Sequence, residues 1–493
     1  MNAIRKNKII IAVVVVISLL IGLPSYAKAE ETINYFLTVH EKVLVSGETF
    51  NLQIPNGVNY NYTVEGNPYC VSVTQDDYTN SLWITGLSNG EATIVVNLYD
   101  QNQNYIASDS CRVIVTNKGL EEESLVCAVG KTEQLHISGY SQIQTISWTS
   151  SNPAVATVDQ SGSVTGVSMG YANIFANCVE VDGRVTTYTC QVAVSNPKLQ
   201  KTSGNLAVNC TQELELTGLQ PGSKVTLTTS NASVATVYEY SYTIYAIKKG
   251  TAIITCEVDG VKLTYKVTVT DPKANVQLLP IVKGKKAKLT ITGTNKNSTI
   301  SYNSLSARVA NVDKKGYVTG KNAGCTSIQI IVDGKELLVP VSVGSSKVIG
   351  TLKYAINAIG TTYSQAKRME NGFYDCSSLT WRAYHSVGVD IGNKYWAPTA
   401  ADMAKTLVKN KKAIAYKALP ADKLQPGDLL FFTKTDGTDN GRYKNIYHVA
   451  IFYGTYGNEL ENGLLLEARL DGVGVFRYSP SDRKVAVVAR PTK

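Results

Sequence analysis

An internal repeat is the feature that most constrains how this sequence can fold. A glycine-centred phrase recurs in the middle of the chain, and a short apolar phrase lies upstream of each copy. The shared glycines are Gly90, Gly170, Gly250 and Gly324, and the upstream phrases are CVSV at 70–73, VATV at 155–158, VATV at 234–237 and VANV at 309–312. Because these two phrases keep a near-constant separation in all four copies, they indicate one structural unit that is repeated in series.

Each copy has the pattern of an all-β unit. Short segments alternate apolar with polar residues, as half-buried strands do, and residues 264–270 are an example. Asp-Gly pairs between such segments predict hairpin turns at Asp182-Gly183, Asp259-Gly260 and Asp333-Gly334. We therefore predict four β-sandwich repeats, at residues 30–117 (the most divergent copy), 118–196, 197–271 and 272–345.

The pattern changes after residue 345. Residues 352–359 and 376–387 have helical patterns, and four strand-like runs follow at 429–432, 448–453, 464–468 and 485–488. Helices followed by a group of strands are typical of an α+β domain. We expect residues 346–493 to form such a domain.

The N-terminus has the features of a signal peptide. Basic residues precede the apolar run 9–23, and Ala27-Lys28-Ala29 matches the small-x-small pattern of a cleavage site. Residues 1–29 are therefore predicted to direct export. The terminus at 490–493 carries no hydrophobic tail, so we expect any retention at a cell wall to be noncovalent.

The excess positive charge is concentrated in the C-terminal domain. The whole chain has 48 Lys and Arg against 39 Asp and Glu, whereas residues 346–493 have 21 against 13. In an exported protein, this charge favours association with the anionic polymers of a Gram-positive wall over nucleic-acid binding.

The cysteines separate into two groups. Cys376 is alone in the C-terminal domain, and the other eight of the nine lie in the repeats. Matching positions make Cys127–Cys178 and Cys210–Cys256 candidate disulfides. The acidic run Glu121-Glu122-Glu123 is a conceivable calcium site, but a solvated turn is favoured because Ca²⁺ needs six to eight converging oxygens. No metal is expected.

Cys376 is the candidate nucleophile. It lies at the first turn of a predicted helix, where free backbone N–H groups and the helix dipole favour a thiolate, which then needs a positioned base. His385 is nine residues further along the same helix and on its opposite side, so it is expected to be structural. His448, at the start of an apolar strand, is the expected base, and Glu467 is preferred to Asp471 as the group that orients it.

Four phrases in the C-terminal domain resemble the NlpC-type cell-wall peptidases, a papain-like cysteine family that cuts peptidoglycan stem peptides. They are GFYDCSSLTWRAYHSVGV, LQPGDLLFFT, HVAIFYG and LLLEARLDGVGVFRY. The phrase WTSSNPAVATVDQSGSVTGVSMGYANI in the second repeat resembles bacterial Ig-like repeats. The resemblance implies four all-β Ig-like sandwich repeats followed by an α+β papain-like cysteine peptidase domain.

The resemblance also implies roles for individual residues. Cys376 would be the nucleophile, His448 the general base and Glu467 the third polar residue. Residues that would line the pocket for the amino-terminal part of the stem peptide are Tyr363, Asp375 and Ser377. The sequence departs from the family at Ser378, where a glycine is common, and at 364–369, where an aromatic-glycine stretch is common; the second departure leaves the exact bond open.

The expected function is that of a secreted cysteine endopeptidase that uses no cofactor. It would hydrolyse stem peptides between D-glutamate and the diamino acid through a thioester acyl-enzyme. Its partners would be peptidoglycan, anionic wall polymers, and a glycan or protein bound by the Ig-like repeats. Two alternatives remain open: a wall-binding adhesin with an inactive catalytic domain, and an N-acetylmuramoyl-L-alanine amidase.

Overall fold

The computed structural model describes residues 35–117, 119–138, 143–181, 183–459 and 461–493. The predicted signal peptide, residues 1–29, lies outside the described residues. No helix in these ranges is both long and apolar enough to cross a membrane.

The chain forms two compact units. One contains the described residues up to Glu123 together with Leu135–Thr149 and Phe175–Cys190, and the other contains Ser124–Gln134, Ser150–Ile174 and Gln191–Lys493. The predicted domain boundaries remain predictions.

The first repeat is a two-sheet sandwich. Its strands are β1 (Glu41–Val45), β2 (Thr49–Gln53), β3 (Asn59–Gly66), β4 (Val71–Asp76), β5 (Ser81–Gly86), β6 (Gly90–Tyr99) and β7 (Tyr105–Thr116). One sheet has the order β1-β7-β6-β3 and the other β2-β5-β4. Buried side chains such as Leu44, Ile84 and Ile94 fill the core.

The next repeat contains β8 (Gly119–Leu120), β9 (Ser124–Ala128), β10 (Thr132–Gln134), β11 (Ile137–Ser138), β12 (Ile143–Ser150), β13 (Ala156–Val158), β14 (Ser163–Gly166), β15 (Gly170–Glu180) and β16 (Val185–Ser195). β10, β14 and β13 form a three-stranded sheet, like β2-β5-β4 of the first repeat. β9 pairs with β16 in parallel, as β1 pairs with β7.

The third repeat contains β17 (Lys198–Leu199), β18 (Ser203–Ala207), β19 (Thr211–Glu213), β20 (Leu216–Thr217), β21 (Val225–Thr229), β22 (Ala235–Tyr238), β23 (Thr243–Ala246), β24 (Gly250–Val258) and β25 (Val261–Thr270). The fourth contains β26 (Lys273–Ala274), β27 (Leu279–Val282), β28 (Lys286–Lys288), β29 (Ile291–Thr292), β30 (Ile300–Ser304), β31 (Ala310–Val312), β32 (Tyr317–Gly320), β33 (Gly324–Val332) and β34 (Lys335–Gly344). The main sheets of both repeats have the topology of the first repeat. They are β18-β25-β24-β21 with β19-β23-β22 in the third repeat, and β27-β34-β33-β30 with β28-β32-β31 in the fourth.

Packing between the two recurring phrases explains why their spacing is constant. Each shared glycine begins a long strand and lies against the first residue of the upstream phrase. A Cβ added to the glycine would come within 2.9 Å of Cys70 at Gly90, 3.1 Å of Val155 at Gly170, 2.8 Å of Val234 at Gly250 and 3.5 Å of Val309 at Gly324. In three of the four copies only glycine allows this close approach without displacing the neighbour.

Two of the three Asp-Gly pairs form the predicted hairpin turns, between β24 and β25 and between β33 and β34, whereas Asp182 of the third pair lies outside the described residues. Asp259 and Asp333 have φ values of 47° and 49°, as a two-residue turn with positive φ requires. Their carboxylates also join neighbouring repeats, which the sequence did not predict: Asp259 accepts a hydrogen bond from Ser195 Oγ at 2.6 Å, and Asp333 accepts one from Thr270 Oγ1 at 2.7 Å.

Neither candidate disulfide is formed, because Cys127, Cys210 and Cys256 are free thiols. Cys210 follows β18 and Cys256 lies on β24, and β25 separates these two strands in the sheet. Burial raises the pKa of the Cys127 and Cys256 thiols to about 11. These cysteines therefore act as small apolar core residues.

The C-terminal domain has three helices around a six-stranded sheet of order β37-β42-β38-β39-β40-β41. Its elements are α1 (Ser346–Asn357), β35 (Thr362–Tyr363), β36 (Phe373–Tyr374), α2 (Cys376–His385), α3 (Ala400–Lys409), β37 (Ala413–Ala415), β38 (Leu429–Thr433), β39 (Ile446–Thr455), β40 (Gly463–Arg469), β41 (Gly472–Tyr478) and β42 (Val485–Ala489). α1 begins six residues before its predicted start because Ser345 caps it by accepting a hydrogen bond from Val348 N. α2 ends two residues before its predicted end, and α3, β37 and β41 were not predicted.

The fourth repeat packs directly against β39. Tyr453 is buried, and its hydroxyl donates to Pro340 O at 3.1 Å, while Ser342 Oγ donates to Tyr453 O at 2.5 Å. Gly457 N donates to Ser327 Oγ at 3.0 Å. The strand that carries His448 is thereby fixed to the last repeat.

We predict that Tyr453→Phe lowers the free energy of unfolding by about 1–3 kcal/mol, because it leaves the buried Pro340 carbonyl without its donor. Urea unfolding of the full chain measures this change. Tyr395→Phe is the matched control, since Tyr395 is 81% exposed. Equal stabilities for the two variants would contradict the proposed importance of this contact.

Candidate functional site

The candidate nucleophile is the first residue of α2. Asp375 caps the helix: its Oδ1 accepts a hydrogen bond from Ser378 N at 2.6 Å, and its own N–H donates to Ser378 Oγ at 2.9 Å. Cys376 is largely buried, with 8% of its surface exposed. Backbone N–H groups of the first helical turn have no partner within the helix, and they favour negative charge on the sulfur or on a developing oxyanion.

The sheet brings His448 and Glu467 together. Ile451 of β39 pairs with Leu466 of β40, and because side chains alternate along a strand, His448 and Glu467 emerge on the same face. His448 Nε2 is 2.5 Å from Glu467 Oε2. His448 Nε2 faces Glu467, so Nδ1 is the ring nitrogen left for Cys376, whose proximity contributes to the raised pKa of His448.

The Glu467 carboxylate is fully buried and is held by two arginines. Arg483 donates to both of its oxygens, at 3.0 and 2.9 Å, and Arg469 Nη2 lies 2.5 Å from Oε1. Burial alone would raise the pKa of Glu467, but the bonds from His448 and Arg483 outweigh it and lower that pKa to about 2. The carboxylate therefore stays charged and can stabilise an imidazolium.

The pKa of His448 shows the result of these contacts. Burial alone would lower it, but hydrogen bonds to Cys376 and Glu467 raise it to about 9. This value lies above the ordinary histidine pKa of about 6.5, so the contribution of His448 to stability is complete below pH 6.5 and is lost as the pH rises through about 9. Cys376, His448 and Glu467 thus form one line of interacting groups, with His448 in the middle.

The two arginines were missed by sequence reasoning. The position of Arg469 beside Glu467 could have been predicted, because Arg469 lies two residues after Glu467 on the same strand and therefore on the same face of the sheet. Arg483 follows β41 in a loop and carried no such signal. Each guanidinium packs over a ring, at 3.8 Å from the centroid of Phe432 for Arg483 and 3.9 Å from that of Phe476 for Arg469.

The predicted pocket residues lie beside the nucleophile. Tyr363 is partly buried on β35, which pairs with β36 directly before Asp375. Burial, and then the negative charges of Cys376 and Asp375, raise the pKa of Tyr363. Ser377 Oγ donates to Asp375 Oδ1 at 3.1 Å. The substrate-binding roles of these three residues remain predictions.

Arg368, which the sequence did not indicate individually, contacts two of these predicted pocket residues. It belongs to the segment 364–369 that departs from the resembled family. Its Nη1 lies 3.1 Å from Asp375 Oδ2, and its Nη2 donates to Ser377 Oγ at 3.0 Å.

The other candidates lie apart from the nucleophile. His385 is exposed and stacks on Trp381 at 4.4 Å, and Asp471 is also exposed. Among the described residues of the first compact unit, Glu121, Glu122 and His136 have ligand atoms within 4.8 Å of one another. His136 Nδ1 is 2.8 Å from Glu122 Oε1, which raises the pKa of His136, and the group is largely exposed.

Comparison with protein families agrees with both parts of the resemblance. Residues 360–484 match the NlpC/P60 family, and residues 114–185 match the bacterial Ig-like domain, group 2. The chain therefore carries a bacterial Ig-like domain followed by an NlpC/P60 domain, and the predicted fold class is confirmed. The NlpC/P60 match supports a cell-wall peptidase of the cysteine type that acts on a peptidoglycan-related substrate.

Individual relatives are more distant. Ice-binding protein 1 of Shewanella frigidimarina is 27% identical over 272 residues, which span 49% of this chain and 30% of that protein. Among solved structures, the insect immune protein hemolin is 13% identical with a TM-score of 0.19, over 63% of this chain and 99% of that chain. The S-layer protein SbsC is 18% identical with a TM-score of 0.15, over 62% and 54%. TM-scores this low carry no argument.

We predict that Glu467→Gln lowers the pKa of His448 from about 9 toward the ordinary value of about 6.5, because the neutral amide no longer stabilises the imidazolium. NMR titration of the imidazole measures this without any substrate. Asp471→Asn is the matched control, and it should leave the pKa unchanged. A His448 pKa that stays at about 9 in Glu467→Gln would contradict the assignment.

Proposed function

We propose that this protein is an exported cysteine peptidase that hydrolyses peptidoglycan stem peptides between D-glutamate and the diamino acid. The observation that carries the proposal is the line from Cys376 through His448 to the buried Glu467, inside a domain that matches the NlpC/P60 family. A thiolate nucleophile, an imidazole base and a group that orients the base are the elements that cysteine acyl transfer needs.

The first half of the reaction forms an acyl-enzyme. The Cys376 thiolate attacks the carbonyl carbon of the scissile amide, and backbone N–H groups at the start of α2 stabilise the oxyanion. The C–N bond then breaks, and the His448 imidazolium gives its proton to the departing amine. Glu467 stabilises the imidazolium and holds the ring in position throughout.

The second half releases the acyl group. Neutral His448 accepts a proton from a water molecule, whose oxygen attacks the thioester carbon. The C–S bond breaks, the thiolate and imidazolium re-form, and the new carboxylic acid leaves and releases its remaining proton to the solvent. The Arg469 and Arg483 contacts keep Glu467 charged through both halves, so the same carboxylate stabilises the imidazolium each time it forms.

Location at a cell wall is part of the proposal. The N-terminal signal-peptide pattern supports export, and the excess of basic residues in 346–493 suits noncovalent attraction to anionic wall polymers. The Ig-like repeats would hold the catalytic domain at the wall by binding a glycan or a protein.

Digestion of purified walls tests the proposal. We expect the protein to release peptides with a new amino group on the diamino acid, and Cys376→Ala to lower this activity by about 10³-fold or more. Cys210→Ala is the matched control because that thiol lies in the third repeat and is also free. It should retain full activity.

Mass spectrometry of the digests separates this function from its alternatives. Products cut at the junction between glycan and peptide would indicate an amidase and contradict the proposed bond. No released product, with wild type and Cys376→Ala behaving alike, would contradict a peptidase and favour a wall-binding adhesin.

A further inference from the structure

The carboxylate of Asp375, next to the nucleophile, already has two hydrogen-bond donors and a cationic partner. Its side chain is only 6% exposed. Oδ1 accepts hydrogen bonds from Ser378 N at 2.6 Å and Ser377 Oγ at 3.1 Å, and Oδ2 pairs with Arg368 Nη1 at 3.1 Å. A buried carboxylate with this set of donors has little capacity left to bind a cation on a substrate.

Arg368 is fixed in this position by contacts of its own. Nη2 donates to Ala397 O at 2.9 Å, to Pro398 O at 3.1 Å and to Ser377 Oγ at 3.0 Å, and the side chain is 17% exposed. Displacing the guanidinium would leave two backbone carbonyls and a buried carboxylate without their donors, which is strongly unfavourable. The ion pair is therefore a permanent part of the pocket.

The reaction geometry determines which part of a substrate meets this ion pair. His448 must protonate the leaving amine, so the leaving half of the substrate lies on the His448 side of Cys376. The acyl half would then extend away from His448, toward Asp375, which directly precedes Cys376, and its partner Arg368. With the bond proposed above, the acyl half is two residues long, so its amino-terminal end lies on the order of 10 Å or less from the nucleophile.

We propose that Arg368 selects substrates whose amino-terminal end is acylated, as in stem peptides still attached to the glycan strand, over free peptides that end in an ammonium group. This inference rests on the proposed function. An ammonium bound at this position would lose its hydration and would be repelled by the positive charge of the Arg368 guanidinium. Asp375 could not compensate, because Arg368 already neutralises its charge. An amide at the same position carries no charge and avoids both costs.

A pair of synthetic stem peptides, identical except for a free or an N-acetylated amino terminus, tests the proposal in the full chain. We expect wild type to cleave the acetylated peptide with a kcat/KM about tenfold or more above that of the free peptide. Arg368→Gln should reduce this ratio by about tenfold, mainly by lowering KM for the free peptide, because Asp375 is then available to the ammonium. Lys367→Gln is the matched control, since Lys367 carries the same charge in the same loop and contacts the Phe373 ring instead; it should keep the wild-type ratio.

The pH dependence of wild type provides a test that does not depend on the folding of any variant. The preference for the acetylated peptide should shrink as the pH rises through about 8, where a peptide amino group loses its proton. Because the same active site cleaves both peptides, the titration of the enzyme's own groups affects both kcat/KM values equally and drops out of their ratio.

The outcomes distinguish this inference from the proposed function. Cleavage of both peptides with equal kcat/KM, a preference for the free peptide, or a ratio that does not change with pH would overturn the role of Arg368 and leave the peptidase intact. Failure to cleave either peptide would overturn the proposed function and this inference with it.

Discussion

The candidate site depends on one buried charge, the carboxylate of Glu467. A fully buried carboxylate is stable only if it is paired, and here it is paired with His448 and two arginines. These contacts hold the pKa of Glu467 near 2 and that of His448 near 9, so the carboxylate is charged and the imidazole retains its proton. The position of the ring, the charge on it and its contact with Cys376 all follow from this arrangement.

The fourth repeat contributes to the same arrangement from the other end of β39. His448 lies near the start of the strand, and Tyr453, five residues later, is bonded to Pro340 and Ser342 of the repeat. His448, the proposed base, therefore lies on a strand that belongs to the sheet of the C-terminal domain and is also hydrogen-bonded to the fourth repeat. The last repeat is a structural support of the catalytic domain as well as a unit in the series.

Sequence reasoning succeeded where one local pattern determines the structure. The constant spacing between glycine and upstream phrase reflects direct packing, the Asp-Gly pairs impose positive φ, and the cap before Cys376 fixes the start of α2. It failed where the tertiary structure decides. Arg368 and Arg483 lie in irregular segments whose partners are distant in sequence, and the candidate disulfides Cys127–Cys178 and Cys210–Cys256 were inferred from matching positions without the strand order that separates Cys210 from Cys256.

The central claim is that Cys376, beside His448 and Glu467, is the reactive nucleophile of this chain, and the reactivity of the native thiols tests it most directly. The measurement is brief treatment of the full chain with iodoacetamide at neutral pH, followed by mass spectrometry of the cysteine peptides. The account predicts that Cys376 is modified at least about tenfold faster than Cys210, a partly exposed repeat thiol whose pKa is raised by burial. Equal rates of modification for Cys376 and Cys210 would contradict it.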